Sequence, residues 1–274
     1  MRVDLADVER HGRAIDLRDV DVAAEAVLAA IRDADDERIE CASPQPIHER
    51  VGFLHHGLSV APIAAVAAAA RTRGATTEHD AEIRAVEDEL AAIDVPEVDL
   101  TTARERVAET ASDVDRLRER VARASGRVEA RREADADASD AEAALRDATR
   151  ELAARETDHH AAKEELAAAQ ERAREARDAR ERKLALADRR DNLRRAARQA
   201  LADAYADCFS RAVDAFPVPS EPTHPREFSG PEWVAGAAAA RFACPGAPLV
   251  VGCGFERVTR AAAALDAPVV LVEV

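Results

Sequence analysis

Between Thr77 and Phe216 the chain holds one proline, Pro96, and one glycine, Gly126, and otherwise reads as strong helix formers. A helical stretch of that length has to cover its apolar residues along a line rather than around a compact core. They recur at coiled-coil spacing, as Ile83, Val86, Leu90 and Ile93, then Val107, Val114, Leu117, Val121 and Val128, then Leu145, Leu152 and Leu166. The phase slips between Val128 and Leu145. There the chain runs through Ala134-Asp135-Ala136-Asp137-Ala138 into Ser139-Asp140-Ala141-Glu142, a capping box in which Ser139 caps free amides and Glu142 reaches back. A new helix starting at that point makes residues 133–139 the tip of a hairpin.

Folding back at the tip places Val128 opposite Leu145, Val121 opposite Leu152 and Val107 opposite Leu166. The charges agree with that register. Residues 78–99 carry nine acids and one Arg, against nine bases and five acids in their partners, 174–195. Toward the tip the signs reverse, with nine bases to six acids in 104–132 and eight acids to four bases in 140–168. A parallel homodimer would set each block against itself, which is unfavourable. His159 falls opposite Val114 and reads as a polar register device, and His159-His160 makes no metal site without further ligands. Pro96 reads as a joint in the first limb, and Gly126 as a bend or as nothing more than a weak helix position. The basic run from Glu171 to Arg198 reads as a solvated face paired with the acidic strip, not as a nucleic-acid surface.

The two ends read as α/β. The N-terminal segment gives strands at Arg2–Leu5 and Arg13–Leu17, a helix from about Val22 to Ala34 and a strand at Arg38–Cys41. Ser43-Pro44-Gln45-Pro46 forces a loop before Val51-Gly52-Phe53-Leu54, and a helix follows through Ile63 and Val66 to Arg71. Past the arm, Pro217, Pro219, Pro222 and Pro225 mark an irregular linker. Then come a helix near Pro231–Phe242, a strand at Leu249–Val251, a helix at about Glu256–Leu265 and a strand at Val269–Val272. The last three make a βαβ unit, which requires a parallel pair and a right-handed crossover. Continuous apolar runs suit strands covered on both faces. The expected fold is an α/β head with a parallel or mixed sheet, interrupted by a long inserted antiparallel coiled-coil hairpin and mostly α by residue count. Residues 1–75 and 216–274 form the two parts of the head, and 76–215 form the arm.

Composition narrows the setting. The net charge is −15, and Lys163 and Lys183 are the only lysines among 39 basic residues. An acidic, arginine-over-lysine, alanine-rich balance points to salt adaptation; a high-GC genome also favours arginine and alanine but does not account for the acidity. It argues against general attraction to nucleic acid or anionic membranes, which needs a basic surface. No segment reaches the length of a membrane span, and the first residues carry no apolar signal-peptide core, so the expected location is the cytoplasm. Cys41, Cys208, Cys244 and Cys253 are few and widely spaced, which suits a reducing compartment.

Candidate chemistry is sparse. Gly252-Cys253-Gly254 follows a strand and opens a helix, where backbone amides can hold an anion and a thiol can have a lowered pKa. A dinucleotide fingerprint would want a third glycine at the position of Arg257. Gly252, Gly254 and Arg257 are therefore the candidate cofactor-binding residues, with a tight strand-to-helix turn as the plain alternative. His48, His55 and His56 with Cys41 and Glu49 are the richest set of possible metal ligands, but their spacing matches no zinc pattern. No catalytic residue, metal or cofactor is assigned.

The segment Arg71-Thr72-Arg73-Gly74 leading into Glu78-His79-Asp80-Ala81-Glu82-Ile83, with the arm after it, resembles uncharacterised coiled-coil proteins of extremely halophilic archaea. That resemblance brings no activity with it. In outline the architecture is similar to SMC-type chromosome ATPases, whose terminal lobes meet across an antiparallel coiled coil. Their GxxxxGK[ST] phosphate loop does not occur in this sequence, so ATP hydrolysis is not carried over. The expectation is a non-enzymatic structural or interaction protein with a protein partner, as monomer or homodimer, and no membrane association. The alternatives are an SMC-like accessory factor near DNA and a nucleotide-binding or enzymatic head using the Gly252–Gly254 turn.

Overall fold

The computed structural model describes residues 1–5, 8–33, 35–216 and 224–273. Pro217, Pro219 and Pro222 of the expected linker lie outside them. In chain order the N-terminal segment gives β1 (Arg2–Leu5), β2 (Val8–His11), β3 (Ala14–Asp16), α1 (Ala24–Arg32), β4 (Ile39–Glu40), α2 (His48–Val51), β5 (Phe53–Leu54) and α3 (Pro62–Thr72). The middle gives α4 (Asp80–Ala92), α5 (Thr101–Glu133), α6 (Ser139–Ala204) and α7 (Ala206–Val213). The C-terminal segment gives α8 (Glu232–Ala243), β6 (Leu249–Val251), α9 (Val258–Leu265) and β7 (Val269–Leu271). No helix of the described residues is long and apolar enough to cross a membrane.

The chain divides into two compact units, residues 1–85 with 189–274, and residues 86–188. In the first, four strands from both chain ends form one parallel sheet in the order β3-β7-β6-β5. Successive side chains of β6 and β7 point to opposite faces. Leu249, Val251, Val269 and Leu271 face a core shared with α3, α7, α8 and α9. Val250 and Val270 face a second core with Ile15, Val27, Ile31, Val3 and Ile39. Both faces are covered, which is why these strands read as unbroken apolar runs rather than alternating ones. The α/β head with a parallel sheet, interrupted by a long helical insert, is the fold that the sequence led us to expect.

A second, antiparallel sheet in the order β2-β1-β4 caps the α1 side. Its strand β2 is absent from the sequence reading, because Val8-Glu9-Arg10-His11 has one apolar residue and no periodicity to find. On the other side α3 and α8 approach through small residues. Ala65, Ala69 and Ala70 meet the face around Ala235–Ala240, all buried. This is how a chain with 3% aromatic residues closes a core.

In the second unit α5 and α6 run antiparallel. Arg106 meets Glu165 at 2.7 Å, Arg118 meets Glu156 at 2.9 Å, Arg120 meets Glu151 at 2.7 Å and Arg132 meets Glu142 at 2.7 Å. Val114, Leu117, Ala124 and Val128 are the buried residues of α5. On α6 the buried residues of this unit are Ala148, Ala162, Ala169, Ala176 and Leu186, while Leu145, Leu152 and Leu166 are only half-buried. These half-buried leucines flank a seam whose centre is alanine.

One local expectation needs correction, and two others are answered at Pro96 and Gly126. The capping box does not form: Asp137 accepts the Ser139 amide at 2.9 Å, and Glu142 turns to Arg132. An aspartate two residues earlier reaches the amide in an Asx turn, freeing the glutamate for a charge-assisted bond. The joint expected at Pro96 is present: residues 93–100 around it are not helical, so the first limb is two helices, and α5 restarts where Asp99 accepts the Thr101 amide at 2.8 Å. Gly126 does not interrupt α5, which runs through it from Thr101 to Glu133.

Candidate functional site

All four strands of the main sheet are parallel, so the segments that follow them gather at one edge. They are Leu17–Asp19 after β3, His55–Gly57 after β5, Gly252–Gly254 after β6 and Glu273 after β7. The crossover from β3 leaves through α1 on one face, and those from β5 and β6 leave through α3 and α9 on the other. The switch between faces lies over β7, the place where open parallel sheets offer a crevice to ligands.

The glycine turn at that edge is occupied by the protein itself. Gly254 has φ +78°, and a Cβ there would come within 3.0 Å of the Trp233 ring. The glycine is needed for its left-handed backbone and for the indole against it. The turn does not open the helix. Three residues intervene before α9 begins at Val258, and Arg257 precedes it in an extended conformation with its side chain exposed. Gly252 and Gly254 are thus separated from the amides of the helix start, and the structure does not join Arg257 to them. Cys253 is buried, and desolvation pushes its thiol up to about 11, opposite to the lowered value that a helix start would give. A cleft of about 650 Å³ does border Gly254, lined also by Phe216, Phe255, Glu256 and Arg260.

Over β7 the charged groups neutralise one another. Arg18 makes a forked contact with Asp16, at 2.9 and 2.6 Å, and donates to the Glu256 carbonyl at 3.1 Å. Arg10 donates to the Asp16 carbonyl and to Asp19 at 2.6 Å. Asp16 and Asp19 are held below the usual carboxylate range, chiefly by the hydrogen bonds from Arg18 and Arg10. Glu273 completes the lining of this crevice. An anion entering would have to displace these carboxylates.

The histidine set does not assemble. His48 is buried and accepts the Gln45 amide on Nδ1 at 3.0 Å, so its Nε2 donates to the Ala247 carbonyl at 3.2 Å. Burial lowers its pKa and keeps it neutral. His55 stacks on Phe53, His56 meets Trp233 edge-on, Glu49 is exposed, and Cys41 is half-buried with its thiol raised by desolvation. Among the described residues no three His, Cys, Asp or Glu side chains converge as metal ligands. In the hairpin, His159 Nδ1 lies 2.9 Å from the Thr110 hydroxyl, and His160 is exposed beside Glu164.

A further polar construction in the head is the turn from α3 to α4, where Arg71-Thr72-Arg73-Gly74 leads into Asp80. Asp80 receives both guanidinium nitrogens of Arg71, at 2.5 and 2.6 Å, and the amide and hydroxyl of Thr77, at 2.9 and 2.8 Å. Its carboxyl is driven far below the usual range, first by the Arg71 hydrogen bonds. Thr72 donates to Ala68 and accepts the Ile47 amide, while Arg73 lies over the Phe242 ring and donates to its carbonyl. Gly74 supplies φ +82°. The sequence reading singled out this motif without seeing that it is a joint.

Residues 12–269, spanning β3, the hairpin and β6, match the family described as "Family of unknown function (DUF7856)". The chain belongs to this family. No curated protein and no solved structure matches it. The DUF7856 match takes in both parts of the sheet together with the arm between them.

Proposed function

We propose that this DUF7856 chain is a non-enzymatic interaction protein of a salt-adapted cytoplasm, with a coiled-coil arm carried on an α/β head. The observation that carries the reading is the self-closed hairpin. Its four cross-helix ion pairs and its alanine seam join α5 to α6 of the same chain. Heptad spacing of the buried residues on both helices supports coiled-coil packing. About 50 Å of α5, at 1.5 Å per residue, then provides length and charged surface rather than an enclosed reaction site. Close fitting of Trp233 on Gly254 and the raised thiol of Cys253 weigh against a nucleotide-binding or thiol-based head. The acidic surplus supports a protein partner over DNA, and supports function at high salt.

The test is quantitative co-purification at molar salt of the full chain and of a variant in which residues 86–188 are replaced by a short flexible linker. A stoichiometric protein partner, kept by the full chain and lost from a well-folded variant, is the expected result. Salt-resistant retention of DNA, or a nucleotide that raises the melting temperature of both chains, would replace this reading with one of its rivals.

A further inference from the structure

Within the first unit α3 and α6 each turn one stripe toward a common groove. Ala64, Ala67, Ala68 and Arg71 recur at i, i+3, i+4 and i+7, and so do Arg194, Ala197, Arg198 and Leu201. Alanines make the floor and arginines stand at its ends. Glu49 and Arg50 from α2 and Ile83 from α4 complete a cavity of about 210 Å³. Four guanidinium groups therefore border it, against the single carboxylate of Glu49.

That balance is unusual for this chain, which has 54 acidic residues to 39 basic ones. Around the head its arginines find carboxylates: Arg2 with Glu40, Arg13 with Asp266, Arg38 with Asp36, and Arg226 with Asp203. Arg71 is committed to Asp80. The side chains of Arg50 and Arg198 make no hydrogen bond or ion pair to any described residue, and both border the same apolar floor. Guanidinium forks over an apolar surface are suited to carboxylates offered by another molecule. The cavity is smaller than the roughly 300–1,000 Å³ usual for small-molecule sites, but it can take the side chains of a docked segment.

We infer that this groove docks an acidic amphipathic helix of a partner protein, small apolar residues on the alanine floor and carboxylates on Arg50 and Arg198. The inference rests on the interaction reading above and adds a contact on the head to the one made by the arm. Charge complementarity selects the occupant, since small residues on the floor admit a helix closely and the walls reward acids at i and i+4.

The probe is a fluorescein-labelled synthetic helix with paired glutamates flanking alanine and leucine, titrated by anisotropy at low and at molar salt. Arg50→Ala/Arg198→Ala should weaken binding by about tenfold or more, with its melting temperature unchanged. Arg50→Lys/Arg198→Lys should recover part of the affinity, and Arg38→Ala should bind as wild type. Equal affinity of wild type and double-alanine variant would overturn the assignment, as would no binding by wild type. Equally tight binding of single-stranded DNA of matched charge would overturn the commitment to a protein segment. A wild-type dimer in sedimentation that the double-alanine variant loses would show a second copy in the groove instead. If the native partner is found and the double-alanine variant retains it, the groove fails while the interaction reading stands.

Discussion

Arg71 grips Asp80 with both guanidinium nitrogens, at 2.5 and 2.6 Å, across the turn that takes the chain from α3 into α4. The pair is partly buried, and Asp80 also caps the Thr77 amide. Charge-assisted bonds of this kind are worth about 1.5–3 kcal/mol, so Arg71→Ala should lower unfolding free energy by about that amount in chemical denaturation, and Arg71→Lys by less. Because the folded carboxyl lies below its ordinary value of 3.8, its contribution is present above that pH and lost as the pH falls below it. Acid titration of wild type against Asp80→Asn should separate the two curves above that pH and bring them together in stronger acid.

His48 supplies a second pH-dependent element. Its folded pKa is lowered from the ordinary 6.5, first by desolvation, so stability is fully present above pH 6.5 and falls as the pH drops below it. The neutral ring ties α2 to the Ala247 carbonyl. His48→Ala should cost about 1–3 kcal/mol by orphaning that buried acceptor and should remove the slope just below 6.5. A variant that melts with the wild-type slope would assign the effect elsewhere.

Trp233 is the only tryptophan, so its fluorescence reports on the glycine turn directly. Gly254→Ala forces a left-handed residue and a 3.0 Å approach to the ring. A loss of about 1–2 kcal/mol is expected for the backbone alone, together with a shifted emission spectrum in the folded state. In alkylation followed by mass spectrometry, exposed Cys244 should react first and Cys253, buried and raised to about 11, last. Rapid labelling of Cys253 at neutral pH would contradict the closed turn.

Much of the head was legible because strands covered on both faces leave unbroken apolar runs, as in Val269-Val270-Leu271. Strand β2 was not, since its pairing with β1 is made by backbone and its side chains are mostly charged. In the hairpin the valines of α5 stood out, but Ala148, Ala162, Ala169 and Ala176 are indistinguishable by type from the exposed alanines around them. The glycine turn was visible as a turn. The residue that fills it, Trp233, lies twenty-one positions earlier and has no local signature. The groove shows the same limit: Ala64–Arg71 and Arg194–Leu201 each read as ordinary helix stripes, and only the fold brings them to one floor.

The proposed function depends on the arm closing within one chain, and spin labels test that most directly. Labels at exposed positions 127 and 146, with the native cysteines replaced by alanine, flank the pair Val128 and Leu145 on opposite limbs near the tip. Helices packed about 8–10 Å apart should give strong dipolar broadening that persists unchanged when labelled protein is diluted with excess unlabelled chain. A separation of tens of ångströms, or broadening that disappears on dilution, would mean that the limbs pair between chains or not at all, and the self-closed arm would have to be abandoned.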